Sequence, residues 1–258
     1  MKALILQAPK EAISCQETPQ PIPSQGQVLV KIKAAAINHR DVYITQGLYP
    51  GVVTPIILGS DGTGEIVALG EGVDSNWLKE SVVLNPSIGW ETATNVQPKT
   101  YEILGMPKNG CFAEYIAVDL KQVHKTPKHL SPEQAAALPL AGLTAYRALF
   151  SRAQLQKNER VLISGVGGGV ALLACQLAIA AGAEVYVTSG SEEKINQAIA
   201  LGARGGVNYK EENWHKALLK KANGGFDVIV DSAGGDGFKY FLDLANMGGR
   251  IVFYGGTR

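Results

Sequence analysis

The residues best equipped for chemistry are the glycines of VLISGVGGGVALLACQLAIAAGA, residues 161–183. An apolar strand ends at Ser164, the turn Gly165-Val166-Gly167-Gly168-Gly169-Val170-Ala171 follows, and an apolar helix starts at once. Positions without side chains let the backbone turn tightly. They also let amide N–H groups approach a pyrophosphate, whose charge then lies at the positive end of the helix dipole. The strict spelling GxGxxG fails because its third glycine would fall on Val170. Read as GxxGxxA from Gly165, Gly168 and Ala171, the motif keeps the small residue that close helix–strand packing needs. With a strand before, a helix after and a β-α-β unit around it, the turn predicts a dinucleotide site, with a merely tight turn as the alternative.

Which dinucleotide depends on the end of the next strand, Glu184 to Ser191. A site for NAD(H) would place Asp or Glu there, about 20 residues past the turn, to accept from the ribose hydroxyls. This chain has Ser189, with Ser191 and Lys194 just beyond. Hydroxyls and a cation suit a 2′-phosphate that a carboxylate would repel, so the expected cofactor is NADP(H). Ser191 also reads as a helix N-cap, Glu192 and Glu193 as first-turn acids, and Lys194 as a solvated surface charge. A cap hydroxyl can serve both purposes.

The elements that position these residues change character near residue 125. Residues 1–125 read as short strands, at Ala3–Leu6, Val28–Lys33, Glu65–Leu69 and Phe112–Val118, separated by turn signals such as PIPSQGQ and GSDGTG. The segment 85–110 has little periodicity and many turn residues, a length of connection that is usually functional or mobile. From 126 to 258 strands alternate with helices. Ser131-Pro132-Glu133-Gln134 is a capping-box helix start, and Pro139 and Gly142 predict a break in the helix that follows. Apolar runs at Arg160–Ser164, Glu184–Thr188, Gly206–Tyr209, Asp227–Asp231 and Arg250–Tyr254 predict parallel strands. Helices fall between them at Val170–Ala181, Glu192–Leu201, Glu211–Ala222 and Gly237–Ala245. The expected fold is α/β, a doubly wound parallel sheet over 126–258 joined to a strand-rich domain over 1–125.

Composition narrows the partners. With 258 residues, 46% of them hydrophobic, the chain can bury a core in each of two domains. A net charge of +1, from 24 Lys and Arg against 23 Asp and Glu, gives no basis for a nucleic-acid or anionic-membrane partner. Cys15, Cys111 and Cys175 form no CxxC pair and read as free thiols. The N-terminal apolar run is too short for a signal peptide, and the glycines at 165–169 interrupt the most apolar stretch, so the expected location is the cytoplasm.

Several segments together resemble the medium-chain dehydrogenase/reductase superfamily. They are AAAINHRDVYITQGLYP (34–50), LGSDGTGEIVALGEGV (58–73), GCFAEYIAV (110–118), AALPLAGLTAYRAL (136–149), the glycine turn, DVIVDSAGG and IVFYGG. The resemblance implies a partly open, GroES-like β-barrel catalytic domain and a Rossmann domain, with hydride transfer in the cleft between them. In the zinc alcohol dehydrogenase branch, metal ligands stand where this chain has Asn38, Ser60 with Asp61, and Leu140. No cysteine occurs in 85–110, where that branch carries its structural zinc. No metal is therefore expected. NHRDVYITQGLYP resembles the zinc-free quinone reductases, which implies that Asn38 and Tyr43 line the substrate pocket. Asn38 offers amide donors for an oxyanion, and Tyr43 a hydrogen bond or a proton relay. A turn role for Asn38 and a half-buried aromatic role for Tyr43 are the plainer alternatives, and Asp41 is expected to brace the local backbone. The resemblance further places Thr144 near the nicotinamide, Val166 to Val170 around the pyrophosphate, Tyr209 near the adenosine ribose phosphate and Gly255 near the ring end. Family chains normally add a sixth Rossmann strand and a return segment, so the second domain is expected to lack these.

The function expected is a zinc-independent, NADPH-dependent oxidoreductase that passes hydride to a quinone, enone or similar activated double bond, working on a small molecule as a homodimer or larger homo-oligomer. A zinc-type alcohol or aldehyde oxidoreductase and a nucleotide-binding sensor without turnover remain the alternatives.

Overall fold

Alternation of buried and exposed side chains governs the first half of the chain. In order come β1 (Lys2–Leu6), β2 (Ser14–Glu17), β3 (Gln27–Ala36), α1 (His39–Thr45), β4 (Ile56–Ile57), β5 (Asp61–Leu69), β6 (Ser81–Leu84), β7 (Ser87–Ile88), β8 (Glu102–Ile103), β9 (Tyr115–Asp119), β10 (Val123–Lys125) and α2 (Pro132–Ala136). The computed structural model describes residues 1–90 and 96–256; of the long segment 85–110, residues 91–95 lie outside the described residues. The main sheet is antiparallel, in the order β10-β6-β5-β3-β9, beside a smaller sheet β2-β1-β4 and the pair β7-β8. Register shifts between Leu29 and Val30 and between Ile32 and Ala34 bend the β3–β5 pair. Val28, Val30, Ile66, Val82, Leu84, Ile116 and Val118 are buried together on its inner face. A second cluster joins Leu6, Ile44, Ile56, Leu58 and Met106, and this is what seats α1.

All four strands expected between residues 1 and 125 are present with shifted or extended ends. Sequence periodicity does not reveal β2, β6 and β10, which are only three or four residues long. Nor does it reveal α1, whose inward face carries Arg40 and Asp41 beside Ile44 and so mimics a polar loop.

Contact between residues divides the chain at Leu140/Ala141, into Met1–Leu140 and Ala141–Arg258, and not at 125/126. The reason lies in α2. Its capping box forms as the sequence implies, Ser131 Oγ accepting from Gln134 N, but the helix packs on β3, β5 and β6.

The second unit is wound in repeating strand–helix steps. α3 (Pro139–Tyr146) opens at the end of the first unit and passes into a π-helical turn over Arg147–Arg152. β11 (Arg160–Ile163), α4 (Gly169–Ala180), β12 (Glu184–Ser189), α5 (Glu192–Ala200), β13 (Gly205–Asn208), α6 (Trp214–Ala222), β14 (Phe226–Asp231), α7 (Lys239–Leu244) and β15 (Ala245–Phe253) follow. All pairings are parallel, in the order β13-β12-β11-β14-β15. This is the Rossmann order, first strand central and direction reversing between β11 and β14. Val161, Leu162 and Ile163 of β11 and Val228, Ile229 and Val230 of β14 are fully buried, which is why their runs are continuous rather than alternating. α4 turns Ala171, Ala174, Cys175 and Ala178 into the core. These small residues at helical spacing let the helix approach the sheet closely. Gly182 and Gly202 follow α4 and α5 with positive φ, +80° and +114°; after α6 the left-handed residue Asn223 comes first and then Gly224.

Candidate functional site

The glycine turn lies at the carboxyl edge of β11, next to the point where strand order reverses. Gly165 has φ +64° and Gly167 φ +138°, conformations that a side chain resists. A Cβ added at Gly165 or Gly168 would meet no atom within 4 Å, so the turn leaves room above its backbone. The amides of Gly165 and Val166 are engaged internally, with Thr188 Oγ1 at 3.1 Å and Thr188 O at 2.8 Å. Gly168 is the N-cap of α4 and offers no side chain to cap it, so the first-turn amides, including Gly169 and Val170, have no acceptor within the helix. Those N–H groups and the helix dipole make an anion seat of the kind a pyrophosphate requires. Val166 contributes differently: its side chain is buried in the core with Ala171 and Val187.

Several sequence-predicted residues meet at the end of β12. Ser189 is buried, and its hydroxyl accepts from Ser191 N at 3.3 Å. Ser191 takes the N-cap position of α5 without capping it through its side chain. The Lys194 side chain crosses the glycine turn, its Cδ 2.6 Å and its Nζ 3.2 Å from where a Cβ on Gly167 would stand. Tyr209 donates its backbone N–H to Ser189 O at 3.1 Å, and its hydroxyl lies 2.9 Å from a Cβ built on Gly190. Lys210, which sequence reasoning missed, reaches the same glycine, with Cε 2.8 Å from that point. Its signal was only its place after Tyr209, one residue past the third strand.

The opposite side of the switch point is held by Asp231, at the end of β14. It accepts from Ser164 Oγ and from Gly234 N, the latter at 2.8 Å. Tyr254 donates its backbone N–H to Asp231 O, and burial pushes its hydroxyl pKa up. Gly255 lies beside Ser232, where a Cβ would come 3.2 Å from the Ser232 carbonyl oxygen. Thr144 is half-buried on α3.

In the first unit, Asn38 and Tyr43 both belong to α1, Asn38 as its N-cap. Asn38 Nδ2 donates to Asp61 Oδ2 at 2.8 Å, and Leu140 N donates to Asp61 Oδ1, also at 2.8 Å. Asp61 is 1% exposed. Its pKa is raised to about 6, by burial above all and then by Asp41, against the hydrogen bonds from Asn38 and Leu140 and the Arg40 charge, which lower it. Asp41 Oδ2 accepts from Asn38 N at 2.8 Å, the backbone brace the sequence suggests, and burial raises its pKa as well. Arg40 is buried too, its guanidinium donating to Ser60 Oγ, Leu104 O and Met106 O. The half-buried Tyr43 ring lies against His39, centroids 5.1 Å apart.

This donor set does not fit zinc. Both oxygens of Asp61 accept from N–H groups, the Ser60 hydroxyl is taken by Arg40, and Asn38 presents a donor where a ligand is needed. Among the described residues, no group of three His, Cys, Asp or Glu side chains could hold a metal ion. Burial and then the Asp61 and Asp41 charges push the Cys111 thiol pKa up.

A Rossmann sheet with a glycine-started, uncapped helix at its switch point, in one chain with an antiparallel unit bearing a buried polar cluster, defines the class of two-domain dinucleotide-dependent oxidoreductases. Residues 24–128 match the alcohol dehydrogenase GroES-like domain and residues 169–258 the zinc-binding dehydrogenase domain. The chain is 37% identical over 260 residues to a zinc-type alcohol dehydrogenase-like protein of Leptosphaeria maculans, covering 92% of this chain and 71% of that one. It is 31% identical to the quinone oxidoreductase of Homo sapiens, with 91% and 66% covered. Among solved structures, an NAD-dependent alcohol dehydrogenase superposes with TM-score 0.91 at 35% identity, covering 98% of this chain and 77% of that one. The chain belongs to the medium-chain dehydrogenase/reductase superfamily, in its quinone oxidoreductase and alcohol dehydrogenase-like branch. It spans about two thirds to three quarters of the length of the relatives it matches.

Proposed function

We propose that the chain is an NADPH-dependent reductase of quinones, enones or similarly activated double bonds that works without zinc. The observation that carries this reading is the donor set at the head of α1. There an amide N–H, braced by a buried carboxylate, stands where a metal-dependent relative needs converging ligands. A reduced nicotinamide, when bound, supplies hydride. The protein's own task is to stabilise charge developing on the acceptor oxygen, which Asn38 does by donating a hydrogen bond. Tyr43 donates a second hydrogen bond or relays a proton, and solvent protonates the reduced carbon. The turn at 165–170 takes the pyrophosphate on the first-turn amides of α4. Ser191, Lys194, Tyr209 and Lys210 take the 2′-phosphate, beside Ser189, while Thr144 and Gly255 flank the nicotinamide end. Relatives support the chemistry, since they include acryloyl-coenzyme A reductase of Metallosphaera sedula, at 31% identity, as well as the quinone oxidoreductase. The protein is proposed to act in the cytoplasm as a homodimer or larger homo-oligomer.

Turnover of a quinone and enone panel with NADPH, after exhaustive chelation and metal analysis, tests this. NADPH oxidation by protein with substoichiometric metal is expected. Activity that vanishes on chelation and returns with zinc would select the alcohol dehydrogenase alternative, and no turnover with any acceptor would leave a nucleotide-binding protein.

A further inference from the structure

The Asp61 carboxylate is nearly inaccessible to water, yet it makes two well-formed hydrogen bonds across the chain. An ionised carboxylate is acceptor-only, so the amide of Asn38 must turn its NH2 group, and not its oxygen, toward Asp61. That fixes the side-chain rotor together with the α1 capping box, in which the Asn38 side chain faces the Asp41 backbone N–H, and leaves one further N–H on the same nitrogen. Asp61 is itself held, because its second oxygen accepts from Leu140 N in the first turn of α3.

We propose that Asp61 is the positioning residue for Asn38, holding its side-chain amide as a pre-aimed donor for the substrate oxygen. The inference rests on the reading of Asn38 as that donor. A donor fixed before charge develops needs no reorganisation in the transition state. Protonating Asp61 sets a hydrogen against either Asn38 Nδ2 or Leu140 N, each already a donor, and the amide is released or turned over. Activity therefore requires ionised Asp61 and falls with acid. The charged and titratable groups bearing on Asp61 are Arg40 and Asp41 of α1 and the Cys111 thiol. Cys111, pushed up by burial, stays neutral. Asp41 bonds the backbone of Asn38, a contact that replacing the side chain leaves in place.

The test is a double-mutant cycle of Asp61→Asn and Asn38→Ala, with kcat and KM for NADPH-dependent quinone reduction followed from about pH 5 to about pH 8. Asn38→Ala is expected to lower kcat by about 10²-fold. Asp61→Asn should lower kcat at least tenfold with KM little changed, and add nothing in the Asn38→Ala background. Wild type should show an acid limb near the Asp61 pKa of about 6 that is absent from both single variants. Asp61→Glu, which restores a carboxylate, should bring back the limb and part of kcat. Additive losses, or an acid limb that persists in Asn38→Ala, would overturn the proposal. Full activity in Asn38→Ala would instead overturn the reading of Asn38 beneath it. Should Asp61→Asn fail to fold, the pH profiles of wild type and Asn38→Ala decide alone.

Discussion

Asp61 and Asp41 are 1% and 3% exposed, and in both the cost of burying a charge outweighs the hydrogen bonds received, so both pKa values rise. In an unfolded chain an aspartate titrates at about 3.9. Between about pH 4 and about 6 the folded protein thus binds more protons than the unfolded one, and stability falls as pH rises through that window before levelling off. Asp61 alone accounts for about 2–3 kcal/mol of this slope. Urea denaturation of wild type and Asp61→Asn across the window should show the difference between them shifting in that direction. A wild type that gains stability relative to the variant as pH rises would contradict it. Activity is expected to run the opposite way over the same range. None of this was legible in the sequence. Asp61 was visible there only as a poor zinc ligand, because the partner that fixes it, Leu140, is 79 residues away. The glycine turn was legible because its requirement is local: positive φ and absent side chains within a few consecutive residues.

At the scale of elements, one polar side chain adds to the apolar cluster that seats α1. Arg40 Nη1 donates to Ser60 Oγ at 2.6 Å and to Leu104 O at 3.1 Å, Nη2 donates to Met106 O at 3.0 Å, and the guanidinium lies 4.9 Å from the centre of the Tyr49 ring. Those bonds tie the helix to the residue before β5 and to the segment that follows β8. Arg40→Met keeps bulk but leaves two buried carbonyls and a hydroxyl without their donor. The expected loss is about 3–5 kcal/mol, read by urea denaturation. Arg40→Lys should recover only part of it, since an ammonium lacks the planar fork. A loss under about 1 kcal/mol would show the network to be dispensable. The same side chain explains why α1 escaped the sequence reading, for a helix that buries Arg and Asp shows no apolar stripe. The strands of the second unit were the reverse case. The apolar runs of β11, β12 and β14 are what burial on both faces produces, whereas β15, only half-buried, begins five residues before the expected Arg250.

For the whole molecule, the change from short strands to strand–helix repeats revealed two units but not the boundary between them. That boundary depends on what α2 packs against, a fact of tertiary contact. The second unit's sheet order puts the glycine turn at the switch point, and the residues gathered at the end of β12 decide which nucleotide suits it. No Asp or Glu occurs at Ser189, Gly190 or Ser191, and the side chains of Lys194, Tyr209 and Lys210 crowd over Gly167 and Gly190. A hydrogen bond to a charged group contributes about 1.5–3 kcal/mol, so one lost lysine corresponds to about 10–100-fold in affinity. The most direct measurement is an equilibrium titration of NADPH and NADH against wild type and Lys210→Ala. The account predicts that wild type prefers NADPH and that the variant loses about 10–100-fold for NADPH while binding NADH unchanged. Equal affinity of wild type for the two nucleotides, or an equal loss of both in the variant, would contradict it.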